Sequence, residues 1–437
     1  FGPKTGWMGG WAIVVADVIV MANLAQIAGQ YGFQLIGASG LAASAGWTEL
    51  AGIIWIAVMT LICYIGIELS ARIQVVLLSI ELVMLAVLSV TALVKVYSGH
   101  GTAGSVRISG SWFNPFAISS FSALTLGLLT AIFIYWGWDT AVSVNEETKD
   151  RAQTPGRAAV ISTVLLLVTY GLVTVSAQCF AGYGATGTGL ANPDNAGDVL
   201  SGLGGAVFGT SGFGWFLSKL LVLMVLSSAA ASTQTTIMPT ARTTLSMAAH
   251  RSIPRSFSRI HPRFLTPTWS TVVMGLASIG FYALLAGISA NVLADSISSL
   301  GLAIAFYYGL TGLACAWHFA PRALAGGSGA RTVWLRFLLP LFGALILFAF
   351  FFYGAYEFWS PAYGTTSWTM PFPPHWQIGG VFLTGVGSLV LGIPLMYIYR
   401  ARRPDYFRGQ VIKRGDWPPA PEDETPTGDA GSGTGPS

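Results

Sequence analysis

The chain has 437 residues, of which 53% are hydrophobic and only 9% are charged, and its formal net charge is +4. An ordinary soluble domain carries about 25% charged residues, so this composition excludes that class and predicts a membrane protein. The small positive charge gives no indication of a nucleic-acid partner, and we expect none.

Ten apolar segments are long enough to cross a bilayer, whose hydrocarbon core is roughly 30 Å thick. They lie at residues 10–37, 48–67, 73–98, 121–147, 158–181, 213–240, 268–288, 293–317, 334–356 and 378–399. The segments lack the alternation of barrel strands, and only helices or closed barrels satisfy their own backbone hydrogen bonds in lipid. The sequence therefore predicts an all-α, polytopic membrane protein with ten transmembrane helices.

The positions of the 22 Lys and Arg residues predict how these helices are oriented. With the N-terminus inside, 19 of them fall in inner loops or the C-terminal tail, two fall outside, and Lys219 lies within the sixth segment. Basic loops stay in the cytoplasm, so we predict a multi-pass protein of the cytoplasmic membrane with both termini of this chain cytoplasmic. Residues 1–405 form the predicted transmembrane domain. Residues 406–437 form a cytoplasmic tail that we expect to be mostly disordered, because it is rich in Pro, Gly, Ser and acidic residues.

The sequence contains no pattern typical of a metal site, a cofactor site or a catalytic centre. Cys63, Cys179 and Cys315 lie singly within predicted helices, and the five histidines lie in loops or at helix ends. We therefore predict no enzyme activity, no cofactor and no metal. A channel would need a continuous polar stripe, which the second, fifth and seventh segments lack. A structural or sensor protein with the same helices is a further alternative.

Three acidic residues fall inside predicted spans, namely Asp17, Glu81 and Asp139. A carboxylate at the centre of a transmembrane helix costs roughly 2.5–3.5 kcal/mol, so a retained one usually faces a cavity and serves an ion or substrate path. The alternative is that these acids are protonated and hydrogen-bonded between helices, or are paired with Lys219. Asp295 stands at the start of the eighth predicted helix, and we interpret it as a cap of that helix.

The fourth segment contains AIFIYWGWDTAVSVNEETKD, residues 131–150, in which Gly137 separates two tryptophans and precedes Asp139. One straight helix over residues 121–148 would be about 42 Å long, which exceeds the hydrocarbon thickness. Glycine weakens a helix by about 1 kcal/mol and permits close approach of another group. We therefore predict two half-helices with a break at residues 135–139, of the kind through which transporters bind charged substrates. A continuous tilted helix with a neighbour packed on the glycine is the alternative.

Three stretches resemble the permeases of the amino acid–polyamine–organocation (APC) family. FIYWGWDTAVSVNEETKDRAQTPGRA resembles the family signature, in which an aromatic, a glycine, an aromatic and an acid precede a Glu-Glu pair and a proline-containing loop. RSIPRSFSRIHPRFLTP, residues 251–267, resembles the basic loop after the family's eighth helix. The opening FGPKTGWMGGW is similar to the loop that leads into the third helix.

The resemblance implies an APC/LeuT-like inverted-repeat fold with a discontinuous helix and twelve helices in all. The ten segments would correspond to the third to twelfth of these, so the resemblance also implies a chain truncated at its N-terminus. It further implies a secondary active transporter that moves amino acids or related amines by alternating access, with proton coupling. A polyamine transporter, an amino acid/amine exchanger and a transport-inactive fragment are the alternatives, and the oligomeric state stays open.

The resemblance also assigns candidate residues to the substrate site. The discontinuous helix supplies Tyr135, Trp136, Gly137, Trp138 and Asp139. Asp17 falls near a third-helix position that lines the substrate cavity, with Met21 in the next turn. Glu81 falls where some proton-coupled members carry a lysine, and we assign it to proton coupling, although an acid there reverses the charge cycle. The implied partners are an amino acid or polyamine, protons and membrane lipid.

Overall fold

The computed structural model describes residues 2–145, 148–150, 152–195, 199–324 and 329–410, and within these ranges most of the chain is helical. In chain order the helices are α1 (Pro3–Leu35), α2 (Ser39–Ala42), α3 (Ala45–Ile65), α4 (Ile67–Tyr97), α5 (Phe121–Ile134), α6 (Asp139–Ser143), α7 (Thr154–Ala181), α8 (Val199–Phe208), α9 (Gly212–Ala249), α10 (Thr268–Ile288), α11 (Ala290–Leu324), α12 (Ala330–Val333), α13 (Leu339–Trp359), α14 (Gly380–Phe382), α15 (Ser388–Arg402) and α16 (Pro404–Phe407). A short antiparallel hairpin of β1 (Ser367–Thr369) and β2 (Gln377–Gly379) lies between α13 and α14.

Nine continuous spans in the described ranges are long and apolar enough to cross a membrane. Seven are the single helices α1, α3, α4, α7, α9, α10 and α11. The other two are composite, because a π-helical turn at Trp334–Leu338 joins α12 to α13 and another at Leu383–Gly387 joins α14 to α15. The remaining predicted segment, the fourth (residues 121–147), forms the two shorter helices α5 and α6 instead of one span. The prediction of an all-α polytopic membrane protein is confirmed.

Two helices extend well beyond their predicted apolar segments. α1 begins at Pro3 and not at residue 10, with the proline in the first turn, where a missing amide removes no helical hydrogen bond. α9 continues to Ala249, past the predicted end at residue 240, through turns that contain Thr, Arg and Ser. A hydropathy pattern marks only the apolar part of a helix, whereas backbone hydrogen bonding continues into polar turns.

α1 is the central helix of the bundle, and it contacts α3, α9, α10, α11 and α15. One side of α1 packs on α11 in a cluster that includes Ala16 and Ala303, both fully buried. Another side packs on α3 and α10 in a second cluster, which includes Ala25 and Tyr282. Small residues at these contacts allow the helix backbones to approach closely, which is how helices associate where no water is excluded.

The contact of α1 with α3 depends on a glycine. A Cβ atom added at Gly52 would lie 2.8 Å from the carbonyl oxygen of Ala25 and 2.7 Å from the Tyr282 ring. Both neighbours are fixed, since one is backbone and the Tyr282 hydroxyl donates to Gln26 at 2.7 Å. Any larger residue at position 52 must therefore push α3 away from α1.

Asp295 does not cap a helix, so the interpretation made from the sequence is wrong. α11 begins at Ala290, which puts Asp295 in its second turn, where the side chain is 3% exposed. Its carboxylate accepts bonds from the amides of Thr365 and Thr366, both at 2.8 Å, and from both threonine hydroxyls. The acid thus fastens the segment between α13 and the hairpin onto α11.

The two ends of the described chain meet on one side of the bundle. The Tyr406 hydroxyl of α16 donates to the Pro3 carbonyl at 3.2 Å.

At the other end of α1, the Lys219 ammonium donates to the carbonyls of Gln34 at 2.8 Å and Leu35 at 3.4 Å. Lys219 therefore neutralises the negative end of the α1 dipole. Of the predicted disordered tail, residues 411–437 lie outside the described residues.

We expect Gly52→Ala to destabilise the bundle, because overpacking a close contact costs about 1–3 kcal/mol. Gly127→Ala is the matched control, since a Cβ at that helical position meets nothing within 4 Å. Alanine there should be neutral or slightly stabilising. The measurement is the midpoint of thermal unfolding in detergent. Equal midpoints for the two variants would contradict the close α1–α3 contact.

Candidate functional site

The fourth predicted segment is broken at residues 135–138, between α5 and α6. The Tyr135 amide still donates to Ala131 at 3.0 Å, and the Trp136 amide donates to Phe133 at 3.1 Å. Helical bonding resumes with the Thr140 amide, which donates to Gly137 at 3.1 Å. Within the described part of the chain, the amides of the three residues 137–139 donate to no backbone carbonyl. The predicted break is confirmed, and the alternative of one continuous tilted helix is wrong.

Gly137 makes the break possible through its backbone conformation. Its φ is +114°, a value that residues with a side chain rarely adopt. Space is not the constraint, because a Cβ at this position would meet nothing within 4 Å. The glycine between the two tryptophans is therefore required by the turn and not by a packed neighbour.

The break forms part of the wall of a cavity of about 340 Å³. α5 has 14 residues, so the break begins about 20 Å from the start of the segment. The other walls come from α1, α7 and α9. The lining residues are Asp17, Val20, Leu24, Phe133, Ile134, Trp136, Gly137, Asp139, Thr140, Tyr170, Val173, Thr174, Ser232, Thr235, Thr236 and Pro239. Two of the three predicted acids, Asp17 and Asp139, thus face one cavity.

Asp17 is 1% exposed and has one side-chain partner, the Thr240 hydroxyl of α9. That hydroxyl also lies 2.9 Å from the Thr236 carbonyl, which it can reach as a donor. A hydroxyl has a single proton, so Thr240 donates either to Asp17 or to Thr236. When it donates to Thr236, the contact with Asp17 needs a proton on the carboxyl group.

Asp139 is the first residue of α6 and is fastened to α11. Its carboxylate accepts a hydrogen bond from the Tyr307 hydroxyl at 2.9 Å. The same hydroxyl oxygen accepts a hydrogen bond from the Trp136 indole, on the other side of the break. Trp138 packs on the Tyr308 ring, with centroids 5.1 Å apart. α11 thus braces the broken segment on both sides of Gly137.

The remaining candidates lie around the cavity and do not line it. Tyr135 contacts the ring of Tyr170 at 5.5 Å between centroids. Met21 is fully buried in the cluster that α1 forms with α3 and α10. Glu81 of α4 accepts a hydrogen bond from the Ser228 hydroxyl at 3.1 Å, and Ser228 lies one helical turn before Ser232 of the cavity wall. The hydrogen-bond partners of Asp17 and Glu81 do not include Lys219. The Lys219 ammonium instead donates to a carbonyl at the C-terminal end of α1.

Sequence reasoning named no individual residue of α9 for this site. The stretch STQTTIMPTARTT, residues 232–244, places many hydroxyl side chains and Pro239 inside an apolar span, and this was a usable signal. Tyr307 and Tyr308 carried no comparable signal, because aromatic residues are common in transmembrane helices. Among the described residues, no group of three or more His, Cys, Asp or Glu side chains could hold a metal ion.

We expect Gly137→Ala to strain the break by about 1–3 kcal/mol, because alanine resists a positive φ. Gly280→Ala in α10 is the control, since its Cβ would also meet nothing within 4 Å but its backbone is helical. A lower unfolding midpoint for Gly137→Ala alone is the expected result. A Gly137→Ala protein as stable as the control would contradict the conformational requirement.

Known transporters resemble this chain over different shares of its length. It is 25% identical to an uncharacterized transporter of Mycobacterium bovis over 411 residues, which cover 92% of this chain and 77% of the relative. It is also 25% identical to the vacuolar cationic amino acid transporter 4 of Arabidopsis thaliana, over 70% of this chain and 49% of the relative. A third relative is the branched-chain amino acid permease BcaP of Lactococcus lactis, 25% identical over 40% of this chain and 39% of the relative.

The sequence profile of one family, described as amino acid permease, matches residues 1–383. This match covers the broken segment, the cavity and most of the helices that surround them. The resemblance to APC permeases in the sequence is thereby confirmed. The chain belongs to the amino acid permease family.

Proposed function

We propose that this chain is a secondary active transporter that carries amino acids or related amines across the cytoplasmic membrane by alternating access. The observation that carries the proposal is the break at Gly137, which opens onto a cavity that also contains Asp17 and Asp139. Broken helices at the middle of a membrane are the usual substrate sites of secondary transporters. A cavity of about 340 Å³ suits a small solute.

The break offers groups of both signs to such a solute. The amides of residues 137–139 donate to no backbone carbonyl. Those of Gly137 and Asp139 face the Tyr308 hydroxyl and the Asp139 carboxylate, so we assign a substrate carboxylate to the Trp138 amide. The carboxyl groups of Asp17 and Asp139 suit a substrate ammonium group. An α-amino acid carries both of these groups, whereas a polyamine carries only the second.

Two acids in one cavity favour a cationic amino acid or a polyamine over a neutral amino acid. One relative is named as a cationic amino acid transporter and another as a branched-chain amino acid permease. A neutral amino acid fits if one of the acids is protonated, so the charge of Asp139 decides between these classes. An exchanger of amino acids or amines would use the same site.

Uptake of radiolabelled arginine, putrescine and leucine into proteoliposomes tests the substrate class, with the protein expressed from its complete reading frame. Asp139→Asn should weaken uptake of the cationic substrates by about 30-fold or more, because a desolvated charge pair is lost. Asp405→Asn is the control, since this acid is exposed in α16. Leucine uptake that falls as much as arginine uptake would contradict charge recognition. No uptake of any of the three would defeat the transport proposal and leave a transport-inactive chain.

We further propose that Asp17 and Glu81 carry the coupling protons. Thr240 can bond to Asp17 in either protonation state, as donor to the carboxylate or as acceptor from the acid. Glu81 has a similar hydroxyl partner in Ser228. These hydroxyls keep each acid hydrogen-bonded throughout a proton cycle, which avoids an unpaired group in the membrane.

Cytoplasmic termini follow from the distribution of basic residues and agree with the Tyr406–Pro3 contact.

Accumulation driven by an imposed pH gradient tests these proton carriers. Asp17→Asn and Glu81→Gln should each abolish uphill accumulation, because neither amide can cycle a proton. Glu81→Gln should keep exchange of labelled for unlabelled substrate, which needs no net proton movement. Asp17→Asn should also weaken this exchange, because Asp17 faces the substrate cavity. Undiminished proton-driven accumulation by Glu81→Gln would remove Glu81 from the mechanism, and the same result for Asp17→Asn would remove Asp17.

A further inference from the structure

α9 contains a proline within its helical stretch, at position 239. Proline has no amide hydrogen, so the carbonyl four residues earlier, that of Thr235, loses its helical donor. α9 nevertheless continues as a helix to Ala249. In a membrane a backbone carbonyl without a donor is costly, and another group must supply the hydrogen bond.

Thr140 supplies that hydrogen bond from the broken segment. Its hydroxyl donates to the Thr235 carbonyl at 3.0 Å, and Thr140, Thr235 and Pro239 all line the cavity. Thr140 is the second residue of α6, so it lies just beyond the break. The carbonyl that the proline frees is therefore bound by the half-helix that follows Gly137.

Other threonines of the bundle use their hydroxyls differently. Thr130 of α5 and Thr163 of α7 donate to the carbonyls four residues before them in their own helices. Thr140 has Trp136 at that position, which lies in the break. The Thr140 hydroxyl therefore bonds to α9 and not within its own helix. The break leaves this donor without a helical acceptor, and the proline leaves the Thr235 carbonyl without a helical donor.

We propose that Thr140 is a positioning residue that docks α6 onto α9 through the Thr235 carbonyl, and that this bond transmits movement of the half-helix to the turn that holds Asp17. The carbonyl of Thr236 and the hydroxyl of Thr240, the partner of Asp17, lie in the same turn of α9 as Pro239. A shift of α6 at Asp139 therefore changes the position of the Asp17 partner. This role rests on the proposed transport function, whereas the docking bond itself does not.

A set of variants at two positions separates the bond from its role. Thr140→Val removes the hydroxyl at nearly constant volume, and Thr140→Ser retains it. Pro239→Ala restores an amide that can donate to the Thr235 carbonyl, so the hydroxyl is no longer needed to satisfy that group. Thr130→Val is the matched control, since its hydroxyl bonds only within α5. Each variant is measured for the unfolding midpoint in detergent, for substrate affinity and for uptake turnover.

We expect Thr140→Val to lower the unfolding midpoint by roughly 2 °C or more, and to lower turnover about fivefold to tenfold with affinity nearly unchanged. Thr140→Ser should recover most of both losses. In the Pro239→Ala background, Thr140→Val should no longer lower the midpoint, but it should still lower turnover relative to Pro239→Ala alone.

Two results would overturn the proposal. A Thr140→Val protein as stable and as active as Thr130→Val would show that no docking bond exists. Recovery of turnover together with stability in the double variant would show that the hydroxyl only satisfies a carbonyl and transmits nothing. If the wild-type protein takes up no amine or amino acid, the transmitting role fails with the proposed function. The midpoints of the same variants then still decide whether the bond exists.

Discussion

The structure depends on one constraint, which is that a backbone inside a membrane has no water with which to replace a lost hydrogen bond. Every interruption of a helix must therefore be compensated by another part of the protein. The segment that contains Gly137 is interrupted where its φ becomes positive, and helical bonding resumes only at Thr140. The two helices packed around this point, α9 and α11, supply hydrogen bonds and ring contacts that stabilise the interruption.

α11 provides the first compensation. Tyr307 bonds to Trp136 before the break and to Asp139 after it, while Tyr308 packs on Trp138. One helix thus holds both half-helices, so the interruption has a defined geometry and is not a loose loop. α11 is itself fixed at its other end, where Asp295 binds the segment that leads to the β-hairpin.

α9 provides the second compensation, and it is interrupted in its own way. Pro239 leaves the Thr235 carbonyl without its helical donor, and the Thr140 hydroxyl of α6 donates a hydrogen bond to that carbonyl instead. Each of the two helices therefore has a local defect, and the hydrogen bond between them serves both. The same turn of α9 holds Thr240 against Asp17, which links the broken segment to the acid on the central helix α1. The cavity lies where α1, α6 and α9 come together.

The sequence alone determined the features that depend on neighbouring residues. Apolar length located the spans, because transfer into lipid is a property of each segment by itself. The Gly137 break was predictable as well, since the excess length and the glycine between two tryptophans are local signals. Asp17 and Asp139 could be selected as functional candidates from the cost of a carboxylate in a membrane.

Only the tertiary structure decided which side chains meet. Met21 and Asp17 are one helical turn apart, yet one is buried in a hydrophobic cluster and the other faces the cavity, because the rotation of α1 is set by its neighbours. Asp295 was misinterpreted because its partners, Thr365 and Thr366, come from a distant loop. Asp17 and Thr240 are 223 residues apart, and Thr140 and Thr235 are 95 apart. Local preference cannot specify such pairs, since they exist only once the helices have packed.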